Sequence, residues 1–293
     1  MTATESNVLE PAFCGLFPHP PIVVPEVGRE RHGECRPTYD ACREFARRLV
    51  ASEPDRLLVV SPHSPRARRA FGLWSGDRLQ GNLGRFGAPR AAVDLANDPQ
   101  AVAALAGAAG AHGVETWTIP SEPLDHGAVI PLWFVQEAGW DGPTSIASLP
   151  WSDDPRTMEA FGRTVADAFA PLAGSTALIA SGDMTHRALP GAPAGYHPRA
   201  VEFDRTLTDL VRQGRLADIS AIDPGLRKDA AEDAADTSII AAAIGFRPRG
   251  AEVLSYEHPF GVGYLVAVFH QSPHPPVPSP SPPSHPPGRG GDS

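Results

Sequence analysis

The chain has 293 residues, an apolar share of 42% and a formal net charge of -9 at pH 7. We expect one folded domain over residues 1–270 and a disordered, Pro-rich tail over residues 271–293, which is too poor in apolar residues to join a core. The acidic balance argues against a partner that is a nucleic acid or an anionic membrane, because both need a basic face. The expected partner is a small molecule or another protein, and a homo-oligomer is compatible with the sequence.

The sequence shows no signal that would direct the protein to export or to membrane insertion. The N-terminus has no charged-then-apolar signal, and no apolar run approaches ~18 residues. The three cysteines, Cys14, Cys35 and Cys42, form no metal-binding spacing and are expected to be ordinary thiols. We therefore predict a cytoplasmic location.

Short apolar runs alternate with helical patterns along the chain, which predicts an α/β fold. Predicted strands cover residues 12–17, 56–60, 114–119, 145–149, 177–180, 251–255 and 264–269. Predicted helices cover residues 38–52, 98–109, 154–172, 199–213 and 216–222. A further helix follows residues 124–127 and runs through Ile130, Leu132 and Val135, and another opens within residues 228–236 and continues to residue 244. The basic residues 66–69 and the Gly-rich residues 75–87 form a loop or hairpin region without a firm assignment.

Four histidines follow predicted strands or lie where a helix begins. His19 and His63 each follow an apolar run and are braced by prolines, which restrict the backbone on both sides. His126 and His186 lie on later loops of the same kind. Ligands of open α/β sheets bind beyond the strand ends, so this recurrence predicts a metal site.

Two neutral imidazoles and one carboxylate, with coordination positions left open, are typical of non-haem Fe(II) that works on dioxygen. His19 and His63 are the candidate imidazoles, and Glu232, Asp233 and Glu257 are the candidate acids. Imidazole titrates near neutral pH, so a further histidine can act as an acid or base. The spacing of the residues leaves these roles open.

Five motifs occur in a fixed order between about residues 13 and 269. They are Phe17-Pro18-His19-Pro20-Pro21, Ser61-Pro62-His63, Asp125-His126-Gly127, Ser181-Gly182-Asp183-Met184-Thr185-His186-Arg187, and Ser255-Tyr256-Glu257-His258-Pro259-Phe260-Gly261-Val262-Gly263-Tyr264. Together they make the chain resemble the class III extradiol ring-cleavage dioxygenases, the superfamily of the protocatechuate 4,5-dioxygenase catalytic subunit. The greatest similarity is to the Memo-like bacterial branch.

The resemblance implies a single-domain, three-layer α/β sandwich with a central mixed sheet and a mononuclear Fe(II) site. It implies His19, His63 and a carboxylate as metal ligands, and an aromatic diol of the catechol type and O2 as substrates. By position in the motif order, His186 would be the acid/base residue. His126 would interact with the substrate hydroxyl or with oxygen.

The carboxylate is where the sequence departs from the family pattern. Relatives in the Memo-like branch tend to have Ala-Gly-Glu-Cys-Gly at the start of the penultimate helix, whereas this chain has Ala230-Ala231-Glu232-Asp233-Ala234. Glu232 matches the acid of the family and is our predicted third ligand. Asp233 is the alternative if the register of the helix differs, and Glu257 is an alternative from another segment.

Two other functions remain open from the sequence. The first is a Memo-like metal-binding or interaction protein without ring-cleavage activity, whose PxxP-like spacing in residues 273–283 would dock on an aromatic groove. The second is a zinc hydrolase with His and carboxylate ligands, for which zinc is the less favoured metal.

Overall fold

The computed structural model describes residues 9–152 and 154–273, which form ten strands and eight α-helices. The strands are β1 (Phe13–Phe17), β2 (Arg56–Ser61), β3 (Ala70–Trp74), β4 (Arg78–Leu83), β5 (Ala88–Ala96), β6 (Glu115–Ile119), β7 (Thr144–Ser148), β8 (Thr176–Ser181), β9 (Glu252–Glu257) and β10 (Tyr264–Gln271). The helices are α1 (Pro25–Gly28), α2 (Arg36–Ala51), α3 (Pro99–Ala109), α4 (His126–Glu137), α5 (Pro155–Phe169), α6 (Ala200–Arg212), α7 (Pro224–Ala230) and α8 (Ala234–Ala243).

Eight strands form a central mixed sheet in the order β6-β3-β7-β2-β8-β1-β10-β9. The inner strands β7, β2, β8 and β1 are parallel, whereas β10 is antiparallel to both β1 and β9. The strands β4 and β5 pair separately as an antiparallel hairpin. The predicted α/β class is confirmed.

Two hydrophobic cores cover the two faces of the central sheet. Strand residues alternate between the faces, so Leu58 and Val60 of β2 join one core and Leu57 and Val59 join the other. Helices α3, α5, α6 and α8 complete the first core, and α2, α4 and the β4–β5 hairpin complete the second. The molecule is therefore the expected single-domain, three-layer sandwich.

Helix α2 shows how the sequence pattern becomes packing. Its apolar residues Ala41, Phe45 and Leu49 recur every fourth position and are all buried. The ring of Phe45 meets Phe13 and Phe17 edge-on, with centroids 4.9 and 5.1 Å apart. These contacts fix α2 against β1, the strand that leads into His19.

The structure corrects the sequence prediction in residues 228–244, where we expected one helix. The chain instead forms α7 and α8, separated by Ala231, Glu232 and Asp233. Ala231 has φ 53 and ψ 45, the left-handed conformation that ends α7. This break changes the direction in which the two acids point.

Two smaller differences concern the strands. Strands β3 and β5 were not predicted, and β4 lies in the region without a firm assignment. Gln271, the first residue of the predicted tail, is the last residue of β10, and the next residue, Ser272, donates its backbone N–H to Ala12 O. The remaining tail from residue 274 onward lies outside the described residues.

Gly182 provides a test of the packing between the end of β8 and the start of α8. A Cβ at this position would lie 2.4 Å from Ala234 Cα and 2.9 Å from the Asp233 carbonyl oxygen. Because backbone atoms cannot move aside as side-chain tips do, we expect Gly182→Ala to lower the free energy of unfolding by about 1–3 kcal/mol. Urea denaturation would measure this loss.

The matched control is Gly107→Ala within α3, where a Cβ would meet no atom within 4 Å. That change should raise stability by about 0.5–1 kcal/mol, because alanine is the better helix former. Equal effects of the two substitutions would contradict the packing described for Gly182.

Candidate metal centre

The carboxyl ends of the parallel strands bring the predicted histidines to one edge of the sheet. His19 follows β1, His63 follows β2, and Asp183 and His186 follow β8. His126 is the first residue of α4. These residues converge although they are spread along the sequence, because parallel strands end at the same edge.

His19 is buried, with 1% of its surface exposed, and its ring orientation is fixed by a short hydrogen-bond chain. Its Nδ1 lies 2.9 Å from Ser181 Oγ, and that hydroxyl donates to the Gly127 carbonyl oxygen at 2.6 Å. Since the Ser181 proton is used on Gly127, Ser181 must accept a hydrogen bond from His19 Nδ1–H. The Nε2 atom is therefore the one left to face the site.

Asp125 holds the loop after β2 against the start of α4. Its carboxylate accepts from Ser61 Oγ at 2.7 Å, from Ser64 Oγ, and from the Ala128 backbone N–H at 3.2 Å. The last contact caps α4. Asp125 thereby sets the positions of His63 and His126, whose rings stack with centroids 4.4 Å apart and an interplanar angle of 26°.

Asp233 supplies the carboxylate that faces the histidines. Its Oδ1 accepts from the Asp183 backbone N–H at 2.7 Å, and its own N–H donates to the Asp183 carbonyl oxygen at 3.2 Å. Its Oδ2 lies 3.1 Å from His63 Nε2 and 3.7 Å from His19 Nε2. Burial alone would raise the pKa of Asp233, but the two imidazoles hold it well below its ordinary value.

The carboxylates around His19 favour a positive charge at the site, and a proton on His19 can supply it in the absence of a metal. Burial lowers the pKa of His19, but the carboxylates of Asp183 and Asp233 outweigh it and raise that pKa to about 9. The Asp183 carboxylate also accepts the His19 backbone N–H at 2.8 Å. A proton on His19 Nε2 thus occupies the position that a metal ion would take.

The donor atoms fit a metal ion. Ring nitrogens of His19, His63 and His126 lie within 4.8 Å of one another. His19 Nε2 is buried without a hydrogen-bond partner among the described residues. Donor atoms around a metal with bonds of ~2.1 Å are roughly 3 Å apart, which is near the spacing of the Asp233 and histidine atoms.

The predicted ligand Glu232 does not fit this arrangement, which is a correction to the sequence analysis. Its Oε1 accepts from Arg227 Nε at 2.6 Å, and its Oε2 accepts from the Ala235 backbone N–H at 2.7 Å. Both oxygens are used to join α7 to α8. The break at Ala231 turns the neighbouring Asp233 toward the histidines instead.

The alternative acid Glu257 is also engaged elsewhere. Its Oε1 accepts from the backbone N–H of Thr38 at 3.0 Å and from the hydroxyl of the same residue. It therefore holds α2 to the end of β9. Asp233, the second choice from the sequence, is the acid that the structure brings to His19 and His63.

A cavity of about 720 Å³, which we call the histidine cavity, opens over the site. Its polar lining includes His19, His63, His126, Asp183 and His186, and its apolar lining includes Phe86, Phe260, Val262 and Tyr264. A cavity of this size, with apolar walls and a few convergent polar groups, is typical of a small-molecule site.

The two predicted catalytic histidines both line the histidine cavity. Burial, together with the nearby His19 and His63, lowers the pKa of His126 to about 4, so its imidazole is neutral at pH 7. His186 donates its backbone N–H to Ala230 O at 2.9 Å, and its Nδ1 is buried without a hydrogen-bond partner among the described residues.

Sequence reasoning assigned no role to Asp183, Asp125 or Ser181, although each supports a histidine. All three lie inside the motifs quoted above, next to or near a site histidine. Their position beside the site histidines in those motifs was the only sequence feature that could have indicated a supporting role. Their roles depend on hydrogen bonds between segments that are far apart in the sequence, and a sequence pattern does not display such bonds.

The fold and the site together define an α/β protein with a candidate metal centre at the carboxyl edge of a mixed sheet. Residues 13–267 match the family described as the catalytic LigB subunit of aromatic ring-opening dioxygenase. The chain belongs to this family, as the sequence motifs indicated. None of the helices in residues 9–152 and 154–273 is long and apolar enough to cross a membrane.

Similar individual proteins include a curated relative and a solved structure. Protein CA_C1420 of Clostridium acetobutylicum is 28% identical over 262 residues, which are 86% of this chain and 56% of that protein. The chain therefore spans little more than half of that relative. The crystal structure of the uncharacterized protein JW3007 from Escherichia coli K12 has a TM-score of 0.54 at 16% identity, covering 77% of this chain and 91% of the other. That likeness supports the fold.

The carboxylate of Asp204 holds the backbone of Thr185, the residue before His186, and its protonation allows this contact to be tested. Its carboxylate accepts from the Thr185 backbone N–H at 2.8 Å and from the Tyr256 hydroxyl at 2.7 Å, and burial raises its pKa to about 7. The folded state thus binds this proton more tightly than the unfolded state does. The stability that results is present below about pH 4 and is lost as the pH rises through about 7.

We therefore expect the stability of the metal-free wild type, relative to Asp204→Asn, to fall by on the order of 3 kcal/mol between pH 4 and pH 7.5. It should level off above that range. Urea denaturation of both proteins across the range measures the difference, in which the other titrating groups cancel. A difference that does not change with pH would contradict the assigned environment of Asp204.

Proposed function

We propose that the protein is a non-haem Fe(II)-dependent extradiol dioxygenase, which opens the aromatic ring of a catechol-type substrate with O2. The observation that carries this proposal is the convergence of His19 Nε2, His63 Nε2 and Asp233 Oδ2, with both histidines in the lining of the histidine cavity. Family membership supports the same class of chemistry.

The donor set favours iron among the metals considered. Two imidazoles and one carboxylate, with open positions, suit Fe(II) in oxygen chemistry, whereas thiolate ligands favour softer metals. Asp233 stands where Memo-like relatives tend to have cysteine. When bound, Fe(II) would supply open positions for the diol and for dioxygen, and a path for electrons between them.

The chain itself would position the substrate and move its proton. The apolar walls formed by Phe86, Phe260 and Tyr264 would hold the aromatic ring and exclude water. His186, whose Nδ1 lacks a partner among the described residues, would accept a hydroxyl proton from the diol. The neutral His126 would form a hydrogen bond with the substrate hydroxyl or with oxygen.

A second function, hydrolysis at a zinc ion, is favoured by one observation. His126 brings a third imidazole within 4.8 Å of the other two, and three histidines can form a catalytic zinc site. Metal analysis of protein purified without oxygen separates the two proposals. Stoichiometric zinc together with turnover that needs no oxygen would favour the hydrolase.

The identity of the acid ligand is tested by comparing two neighbouring substitutions. Asp233→Asn should weaken Fe(II) binding at least 100-fold, because it removes the anionic oxygen that faces His19 and His63. Glu232→Gln should retain stoichiometric iron and lose stability instead, since it breaks the ion pair with Arg227. Anaerobic equilibrium dialysis and urea denaturation provide the two readouts. The reverse pattern would restore Glu232 as the ligand.

The catalytic proposal is tested by oxygen uptake after anaerobic loading with Fe(II). A panel of catechols should include one that consumes one O2 per diol and yields a yellow ring-opened product. His186→Ala should keep the metal but slow turnover by about 10²- to 10⁴-fold, because the proton acceptor is missing. Absence of oxygen uptake with every diol would contradict the proposal.

The matched control for this experiment is His112→Ala. His112 pairs with the exposed Asp167 on the surface and does not line the histidine cavity. Its removal should leave oxygen uptake unchanged. A His186→Ala variant that is as active as this control would remove the acid/base assignment.

A further inference from the structure

A second cavity of about 650 Å³ lies against Asp233, and we call it the arginine cavity. Its basic lining residues are Arg66, Arg187, Arg227 and Lys228. Arg187 directly follows His186 in the sequence, yet it lines this cavity while His186 lines the other. The two cavities therefore lie near the same strand ends but present different chemistry.

The acids in the wall of the arginine cavity are already engaged. Arg227 donates to Glu232 at 2.6 Å and to Asp236 at 2.7 Å, so one cation is shared by two carboxylates. The oxygens of Asp233 face the Asp183 N–H and the two imidazoles. None of these contacts involves Arg187 or Lys228.

Arg187 and Lys228 are the cations with capacity to bind a ligand. Arg187 Nε is buried and has no hydrogen-bond partner in the part of the chain that the structure describes. A buried donor without an acceptor costs about 1–3 kcal/mol, which an incoming acceptor would recover. The exposed side chain of Lys228 forms no ion pair with a described residue.

The rim of the arginine cavity is pre-organised. The guanidinium of Arg66 donates to the Pro62 carbonyl oxygen at 2.6 and 3.0 Å and lies over the ring of Trp151, 4.9 Å from its centroid. Trp151 is 68% exposed. A fixed cation stacked on an exposed aromatic ring beside two further cations suits an organic anion better than an inorganic one.

We propose that the arginine cavity binds an organic oxyanion, whose carboxylate or phosphate group lies between Arg187 and Lys228. A guanidinium offers two parallel N–H donors to such a group, and the ammonium adds a compact charge. The cavity volume accommodates a ligand the size of a substituted benzene ring. Asp233 is part of the lining of this cavity, but the proposed position of the anion, between Arg187 and Lys228, uses none of the candidate metal ligands and does not depend on ring-cleavage activity.

The sequence offers a direct probe, because Lys228 is the only lysine in the 293 residues. An amine-reactive acetylating reagent can modify the ε-amino group of Lys228 and the α-amino group of the chain, and the second serves as an internal reference. Peptide mass mapping of the full, metal-free chain measures both rates. Benzoate and phenyl phosphate should slow acetylation of Lys228 at least tenfold at saturation without changing the reference rate.

Phenol, which matches these probes in its ring but lacks the anionic group, should give no protection. Arg187→Gln should abolish the protection by benzoate. Arg212→Gln, which removes a surface arginine paired with Asp209 on α6, should retain it. Saturable protection in the wild type that is lost only with Arg187→Gln supports the site. No protection by either anion would overturn the proposal.

Titration calorimetry provides a second measurement that does not depend on Arg187→Gln folding correctly. Because Lys228 is exposed, Lys228→Gln should fold like the wild type and bind benzoate at least tenfold more weakly. Unchanged affinity for benzoate in this variant would overturn the role of Lys228 and, with it, the proposed site.

The source of the oxyanion is distinguished by the effect of Fe(II) on binding. If Fe(II) tightens the binding of 3,4-dihydroxybenzoate but not of benzoate, and Arg187→Gln weakens the binding of 3,4-dihydroxybenzoate to the Fe(II)-loaded chain, a single ligand reaches both the metal and the arginine cavity. If both bind equally with and without Fe(II), the oxyanion belongs to a separate ligand. Either result supports the site, whereas failure of ring cleavage would leave both binding measurements unaffected.

Discussion

The contact between the carboxylate of Asp233 and the imidazoles of His19 and His63 is the interaction on which the site depends. Two negative charges, on Asp183 and Asp233, raise the pKa of a buried histidine instead of letting burial lower it. A buried carboxylate is costly when its charge is left unpaired, so these two acids favour a cation beside them. The cation can be a proton or a metal ion, and the geometry of the donors suits the metal.

The surrounding fold holds these three side chains by hydrogen bonds between distant segments. Ser181 fixes the ring of His19 and also binds the start of α4 through Gly127. Asp125 binds the loop of His63 to the same helix. Both candidate histidine ligands are therefore supported by a neighbouring segment, in the way that hydrogen bonds orient the ligands of metal sites.

The structure brings together the histidines that the sequence singled out, whereas the acid beside them is Asp233 and not Glu232, and the two outcomes have different physical reasons. His19 and His63 lie at the ends of apolar strands beside prolines, and both signals are local. The position of Asp233 depends on Ala231, which adopts a left-handed conformation that alanine rarely takes. An alanine-rich segment predicts an unbroken helix, so the turn that selects Asp233 over Glu232 has no local signal. The three-layer fold followed from the family resemblance, whereas β3 and β5 gave too weak a pattern to be predicted.

The central claim is that His19, His63 and Asp233 together hold one metal ion. Crystals grown anaerobically with Fe(II), with diffraction data collected at the iron absorption edge, test this claim most directly. The account predicts one anomalous peak within about 2.2 Å of His19 Nε2, His63 Nε2 and Asp233 Oδ2. A peak bound by Glu232, or no peak beside His19 and His63 in iron-loaded crystals, would contradict it.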